Sequence, residues 1–385
     1  MNIKRALAIL LCISLIMLTV AGCGSNDDDE YYYENGDDTT PERTPDLDFS
    51  FGSSDPLEEA EEILRLLNAR VGTDNFIEFF REMMLEHSED PGSHSFPEGY
   101  VFREGDMVPE FFEAAISLEY GEISGIVETM YGYHIILRVP VDYDSAPMPP
   151  PGAPPSSLRQ LAAMEDFRFQ YSQWLSAVEA NIEYSPEYEA LDLAIIFEHG
   201  TDFELSFPSF NPDTIMISSG DLSIPWAHLY VFLFPIITEI LESHEAGNME
   251  VEWHEEAFEG YTLAELVIEY ATDEAISFIA YLYGMEANNI ILSDDDLSTL
   301  DESIDGIIAI YGSKEDFEES LRENSGYYDF ETFMDFAIIE FGVSALVEAL
   351  YGDEGSGFPD ARVAQYAEAN GFLMAMHILR MKPGF

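Results

Sequence analysis

The chain has 385 residues, with 76 Asp and Glu against 15 Lys and Arg, a formal net charge of −61. A surface of that sign repels phosphate backbones and anionic lipid headgroups, which sets aside nucleic-acid binding and membrane attachment through a basic patch. Hydrophobic residues make up 47% and aromatics 13%, enough to bury a core, so wholesale disorder is excluded and the length fits two domains plus tails.

Lys4 and Arg5 form a positive n-region, and Ala6 to Val20 is an apolar run of signal-peptide length, too short for a comfortable membrane span. It ends in Val20-Ala21-Gly22-Cys23, which resembles a bacterial lipobox. That resemblance implies cleavage before Cys23, diacylglycerol on its sulfur, and a lipid-anchored protein on the extracytoplasmic face of the cell membrane. The alternative is an ordinary signal peptide followed by a chance cysteine. Cys12 leaves with the signal (1–22) and the lipid consumes Cys23. With both cysteines near the N-terminus, a disulfide framework and a cysteine zinc site are excluded. Residues 23–55 then read as an acidic tether, with Asp27-Asp28-Asp29-Glu30 and Tyr31-Tyr32-Tyr33.

Residues 56–142 hold the first folded segment. Leu57 to Leu67 places Leu57, Ala60, Ile63, Leu64 and Leu67 at helical spacing, capped by Ser54 or Asp55 before Pro56. Phe76 to Leu85 reads as a second helix, Tyr100 to Arg103 as a short strand, and Pro109 to Leu118 as a third helix with Pro at its start. Gly121 to Ser124 is a turn. Ile126 to Thr129 and Tyr133 to Val139 read as strands joined through Tyr131-Gly132. A spacer over 143–156 follows, centred on the proline-rich Ala146 to Pro155.

Four motifs stand in order within this region: Ser88-Glu89-Asp90-Pro91-Gly92, Met107-Val108-Pro109-Glu110-Phe111, Gly121-Glu122-Ile123-Ser124, and Tyr131-Gly132-Tyr133-His134-Ile135-Ile136. Together they resemble the parvulin family of peptidyl-prolyl cis/trans isomerases, and more widely the PrsA-like and SurA-like exported foldases. The resemblance implies an α+β fold. A parvulin domain with a small antiparallel sheet and surrounding helices is joined to a mainly α-helical chaperone region, here 157–373. That region would contain a helix from Leu158 to Val178 with Phe169, Trp174 and Leu175 on its apolar side. Next come a strand at Thr214 to Ile217 and an apolar helix from Ile224 onward. Further helices span 264–283, 294–311, 314–323, 330–350 and 360–370, with Ser293-x-x-Asp296 and Ser313-x-x-Asp316 as caps.

A parvulin domain opens with a strand carrying His-Ile-Leu, and nothing in 44–56 supplies one. The C-terminus does, at Met376-His377-Ile378-Leu379-Arg380. Two readings follow. Residues 374–380 close the sheet of 56–142 as a circular permutation, or they begin a second, lost parvulin domain. The first leaves no unpaired central edge.

The resemblance also implies the site. Met107 and Phe111, four residues apart on one helical face, line a proline pocket, and Phe102 closes its side. Read without the family, such a pair is ordinary core. His134 and His377 match the family's paired histidines, with an orienting role rather than proton transfer, and Thr129 is their hydroxyl partner. Asp90 either polarises the amide region or caps a helix. Tyr131 replaces the serine or phenylalanine of other members, and Ser93 to Gly99 departs from the family pattern. No phosphate loop, nucleophile elbow or His-Glu-x-x-His is present, and His254-Glu255-Glu256 is only a fragment of a metal motif. No metal and no cofactor are therefore expected. The partners expected are unfolded or extended proline-containing exported polypeptides. Two functions remain: a peptidyl-prolyl isomerase and foldase, or a non-catalytic chaperone whose parvulin fold only grips such chains; apolar clefts between the helices around Trp226, Phe232 and Phe234 would serve either.

Overall fold

The computed structural model describes residues 55–148, 156–193, 211–248, 250–258 and 260–384. The signal, Cys23 and nearly all of the tether lie outside the described residues. The described residues divide into two compact units, one of 55–165 with 353–384 and one of 166–352. Both helix and sheet are present, and the fold is α+β.

In the first unit, α1 (Pro56–Asn68) starts where the Asp55 carboxylate accepts the Leu57 N–H, with Pro56 at the position where a missing N–H costs nothing. It buries Ala60, Ile63 and Leu67. The next helix, α2 (Phe76–His87), buries Phe76, Phe80, Met83 and Met84. A 3₁₀ turn (Pro91–His94), β1 (Tyr100–Phe102), α3 (Pro109–Ser117), β2 (Val127–Glu128) and β3 (Gly132–Val139) follow. The unit resumes after Gly352 with a further helix, Asp360–Ala369, and β9, Leu373–Met381.

The four strands form one antiparallel sheet in the order β1-β9-β3-β2. The C-terminal strand is therefore central. Leu373–Ala375 pair with β1, and Met374–Met381 pair with β3, opposing His377 to Ile136 and Leu379 to His134. Its backbone is approached tightly from both neighbours. A Cβ on Gly132 would overlap the Arg380 carbonyl. Gly99, at φ +106°, would place one 2.6 Å from the Ala375 carbonyl oxygen. Arg380 fastens the far face to α1 and α2, donating to Glu59 and to the His87 carbonyl. The opening of the helix α4 (Leu158–Glu179) counts with this unit for a similar reason: Arg159 binds Asp144, Asp360 and the Phe358 carbonyl.

The second unit holds the rest of α4, β4 (Ile182–Tyr184), a short helix α5 (Pro186–Glu189), β5 (Ile215–Ser219) and β6 (Leu222–Pro225). These are followed by α6 (Trp226–Glu245), the ribbon β7 (Glu256–Phe258) and β8 (Tyr261–Thr262), α7 (Leu263–Ala287), α8 (Asp294–Tyr311), α9 (Lys314–Ser325) and α10 (Phe330–Tyr351). The helix of the first unit at Asp360–Ala369 is then α11. Both predicted serine caps accept the expected N–H groups, from Asp296 and Asp316.

Three expectations are corrected here. Phe169 is 61% exposed, because the buried stripe of α4 runs through Phe167, Tyr171, Trp174 and Val178. Ile224 belongs to β6 and pairs with Ile217; the helix begins at Trp226. Trp226 and Phe234 are fully buried, and Phe232 packs on Phe278 and Phe336. The expected cleft is therefore filled core.

Deleting residues 371–385 is expected to unfold the sheet unit while the core of the helical unit persists, because β1 would lose its strand partner and β3 would keep only the two-residue β2. Thermal unfolding followed by near-UV circular dichroism and amide exchange checks it; protection of β1 and β3 in the truncated chain would contradict the topology.

Candidate functional site

Alternation along β9 sends Ala375, His377 and Leu379 to one face of the sheet and Met374, Met376 and Ile378 to the other. On β3 the same rule sends His134 and Ile136 to the face of His377. Over this face lies α3, which starts at Pro109 and buries Phe111 and Ala115. Phe111 stands edge-on to both imidazoles, with ring centroids 5.6 Å from His134 and 5.2 Å from His377.

The polar groups form one continuous chain. Tyr100 Oη donates to Asp90 Oδ2 at 2.6 Å, and His377 Nε2 lies 3.0 Å from the same oxygen. His377 Nδ1 and His134 Nδ1 are 3.1 Å apart, and His134 Nε2 is 2.8 Å from Thr129 Oγ1. The Tyr131 N–H donates to that hydroxyl at 3.2 Å. Burial would raise the Asp90 carboxyl, but the hydrogen bonds from His377 and Tyr100 outweigh it and hold it at about 2. Asp90 is then a carboxylate and can only accept. With neutral rings, one set of tautomers satisfies every bond. His377 donates from Nε2 and accepts at Nδ1, His134 donates from Nδ1, and Thr129 donates to His134 Nε2. Burial, then the neighbouring His377, pushes His134 down to about 3. It is a neutral imidazole across the physiological range.

Asp90 also caps the 3₁₀ turn, its other oxygen accepting the Gly92 N–H at 3.3 Å. The capping reading is thus realised, while the opposite carboxylate oxygen is taken by Tyr100 and His377. Phe102 is fully buried and packs edge-on against Phe111 and Phe112, 5.6 and 6.4 Å away. Its ring lies in the same apolar cluster as Phe111, which Met107 borders. Met107 is half-buried at the edge of this cluster, and Tyr131, whose N–H meets the Thr129 hydroxyl, is 44% exposed. The sheet's other face holds a separate cavity of about 320 Å³, lined among others by Ile77, Arg81, Val139, Met374 and Met376.

Two participants were not anticipated. Tyr100 follows the segment that departs from the family pattern, and its reach to Asp90 across ten residues leaves no local sequence mark. Lys382 donates to the Thr129 carbonyl and to Glu128, both at 2.8 Å, and its ammonium helps depress His134. Among the described residues, no group of three His, Cys, Asp or Glu is placed to hold a metal, and no helix is long and apolar enough to cross a membrane.

The depressed His134 sets an acid limit. The unfolded chain takes up its proton near pH 6.5 and the folded one near 3, so stability is complete above 6.5 and declines as pH falls from there. Between pH 6.5 and 4.5 this amounts to about 2 kcal/mol. His87, also lowered by burial, shares the window. His134→Phe is expected to lower Tm at pH 7 yet to lose less Tm than the native chain between pH 7 and 4.5. Parallel Tm–pH curves for the two proteins would refute the assignment.

Residues 47–139 match the family model of the rotamase, PpiC-type peptidyl-prolyl isomerase domain. The foldase protein PrsA of Halalkalibacterium halodurans is 48% identical over 82 residues, covering 21% of this chain and 22% of the relative. PrsA of Caldanaerobacter subterraneus subsp. tengcongensis is 69% identical over 35 residues, 9% of this chain and 11% of that one. The peptidyl-prolyl cis-trans isomerase ESS1 of Saccharomyces cerevisiae is 33% identical over 82 residues, 21% of this chain and 48% of its own. The chain thus spans about a fifth of the length of the PrsA relatives. No solved structure gives a significant match. Over residues 47–139 the chain carries a PpiC-type peptidyl-prolyl isomerase domain of the parvulin family, similar to the domains of PrsA foldases.

Proposed function

We propose that the protein is a peptidyl-prolyl cis/trans isomerase that assists the folding of exported polypeptides. The observation that carries this reading is the unbroken hydrogen-bond chain from Tyr100 through Asp90, His377 and His134 to Thr129, lying directly under Phe111.

Rotation about an X-Pro amide crosses a barrier of ~18–20 kcal/mol. It breaks no covalent bond, so neither a nucleophile nor a metal is required. Twisting removes amide conjugation, which makes the nitrogen more basic and the carbonyl more ketone-like. An apolar seat for the ring and fixed dipoles around the twisted amide favour that state over the planar one. Met107, over the buried ring of Phe111, supplies the seat. The histidines, locked by Asp90 at one end and Thr129 at the other, supply a preorganised dipolar floor that needs no rearrangement as the amide twists. With His134 held neutral, their role is orientation rather than proton transfer. Thr129 and Tyr131 border the substrate, and Phe102 braces the seat from below.

The rest of the reading concerns place and clients. The lipobox-like end at Cys23 supports a lipid anchor on the extracytoplasmic face of the membrane, and the acidic tether would hold the folded units away from it. Clients would be extended, proline-containing chains emerging from export. Cys23→Ser is expected to leave unprocessed precursor or to release the protein; a processed variant that stays in the membrane fraction would remove the anchor. In the second reading the same site grips such chains without turning them over, favoured by the departure at Ser93 to Gly99.

Isomerisation of a short X-Pro peptide separates the two. Met107→Ala is expected to raise KM about tenfold, the loss of roughly 1.4 kcal/mol of ring contact. Asp90→Ala should lower kcat/KM by less than Met107→Ala does, and should lower Tm by leaving His377 and Tyr100 without their shared acceptor. Native protein that suppresses aggregation of an unfolded client without accelerating isomerisation would favour the second reading.

A further inference from the structure

Edge strands expose a row of backbone groups that can template another chain. In the parvulin sheet β1 is such an edge, and it is not bare. Pro147 forms a parallel bridge with Val101, and the Met148 N–H donates to the Val101 carbonyl at 2.8 Å. The chain's own Ala146-Pro147-Met148 therefore lies along β1 as a partial fifth strand. Paired residues share a face of a sheet, so Met148 lies on the side of Phe102. It packs against the cluster that contains Phe102 and Phe111 and that Met107 borders. An extended Ala-Pro segment thus sits one side chain away from the expected proline seat.

Its attachment is slight. Proline has no N–H to give, and residues 146–148 are only half-buried. The entry to the segment is fixed instead. Ser145 Oγ donates to Asp142 at 2.7 Å, and the Ser145 carbonyl accepts the Leu158 N–H at 3.2 Å, which ties it to the start of α4. A segment held firmly at its base and weakly along its length is placed to be displaced by a strand that makes more bonds.

We propose that the outer edge of β1 is a docking strip for the extended chain that flanks the substrate proline, and that Ala146–Met148 occupies it as an intramolecular competitor. This rests on the isomerase reading for what sits in the pocket. The occupant already present shows that the strip takes an extended, proline-containing strand running parallel to β1. The strip is continuous with the site through Phe102, whose ring meets Phe111 at 5.6 Å. A substrate long enough to reach β1 must displace the strap, and its apparent affinity falls by the fraction of molecules in which the strap is seated. A peptide that fills only the pocket is indifferent to it.

Two variants of the full chain test this with a tetrapeptide and a nonapeptide, each bearing one central proline. In the release variant, Ala146→Gly, Pro147→Ser and Met148→Gly, KM for the nonapeptide is expected to fall about threefold or more while that for the tetrapeptide stays unchanged. In the locked variant, Val101→Cys with Pro147→Cys, oxidation leaves no molecule with the strap released and is expected to raise the nonapeptide KM by more than that factor, with reductant reversing it. The proposal is overturned if both peptides respond alike, or if neither responds, in folded variants. If the native chain isomerises neither peptide, the isomerase reading fails by itself. Fluorescence anisotropy of a labelled nonapeptide then decides the strip: tighter binding to the released form and weaker binding to the locked form support it, and equal binding overturns it.

Discussion

Everything in the sheet unit depends on β9 lying between β1 and β3. Without that strand, β1 and β3 share no partner, and the face beneath α3 carries one histidine instead of two. The pairing is demanding. His134 and His377 are 243 residues apart in sequence, so the contact closes a very long loop. The entropic cost grows only logarithmically with that length, but the sheet cannot form until the last residues of the chain are available. Two glycines, Gly99 and Gly132, let the flanking backbones approach β9. Arg380 then ties the strand to Glu59 and the His87 carbonyl. The half-buried guanidinium meets carboxylate and carbonyl oxygens, which favours this register over a slipped one; a slip by one residue would turn Arg380 away from Glu59 and onto the face of the histidines and Phe111.

The site follows from this placement. Burial under Phe111 makes a charged His134 costly, and Asp90 at the other end of the chain stays ionised because two donors converge on it. The consequence is a polarised but electrically quiet row of groups, fixed in one hydrogen-bond direction. Such a row suits a reaction in which no proton need move and in which the change from reactant to twisted amide is one of dipole rather than net charge. Tyr100 strengthens the same end: burial and the adjacent carboxylate raise its hydroxyl well above the usual tyrosine range, so it remains a donor.

Much of this was legible from local sequence because the first unit is built from short, strongly signalled pieces. Pro56 and Pro109 mark helix starts, and the run from Tyr133 to Val139 can only be a buried strand. The absence of an opening strand together with the surplus His-Ile-Leu near the C-terminus pointed to the pairing of 374–380. What the sequence hid was set by tertiary contacts. Phe169 and Phe167 fit a helical stripe almost equally well, and only packing against Trp174 decides between them. Trp226, Phe232 and Phe234 looked like cleft residues because periodicity reports which face is apolar but not whether another helix fills it. The bond from Tyr100 to Asp90 and the strap over β1 depend on side-chain reach and loop path, for which sequence spacing carries no signal.

The claim that β9 brings His377 onto His134 has a direct spectroscopic test. In uniformly ¹⁵N-labelled protein near neutral pH, the Nδ1–H···Nδ1 bond should transmit a scalar coupling between the two Nδ1 nuclei. His377 should be protonated at Nε2 and His134 at Nδ1. Detection of that coupling with those tautomers is the expected result. Two histidines with no mutual coupling, exchanging freely with solvent and titrating as independent groups, would contradict it.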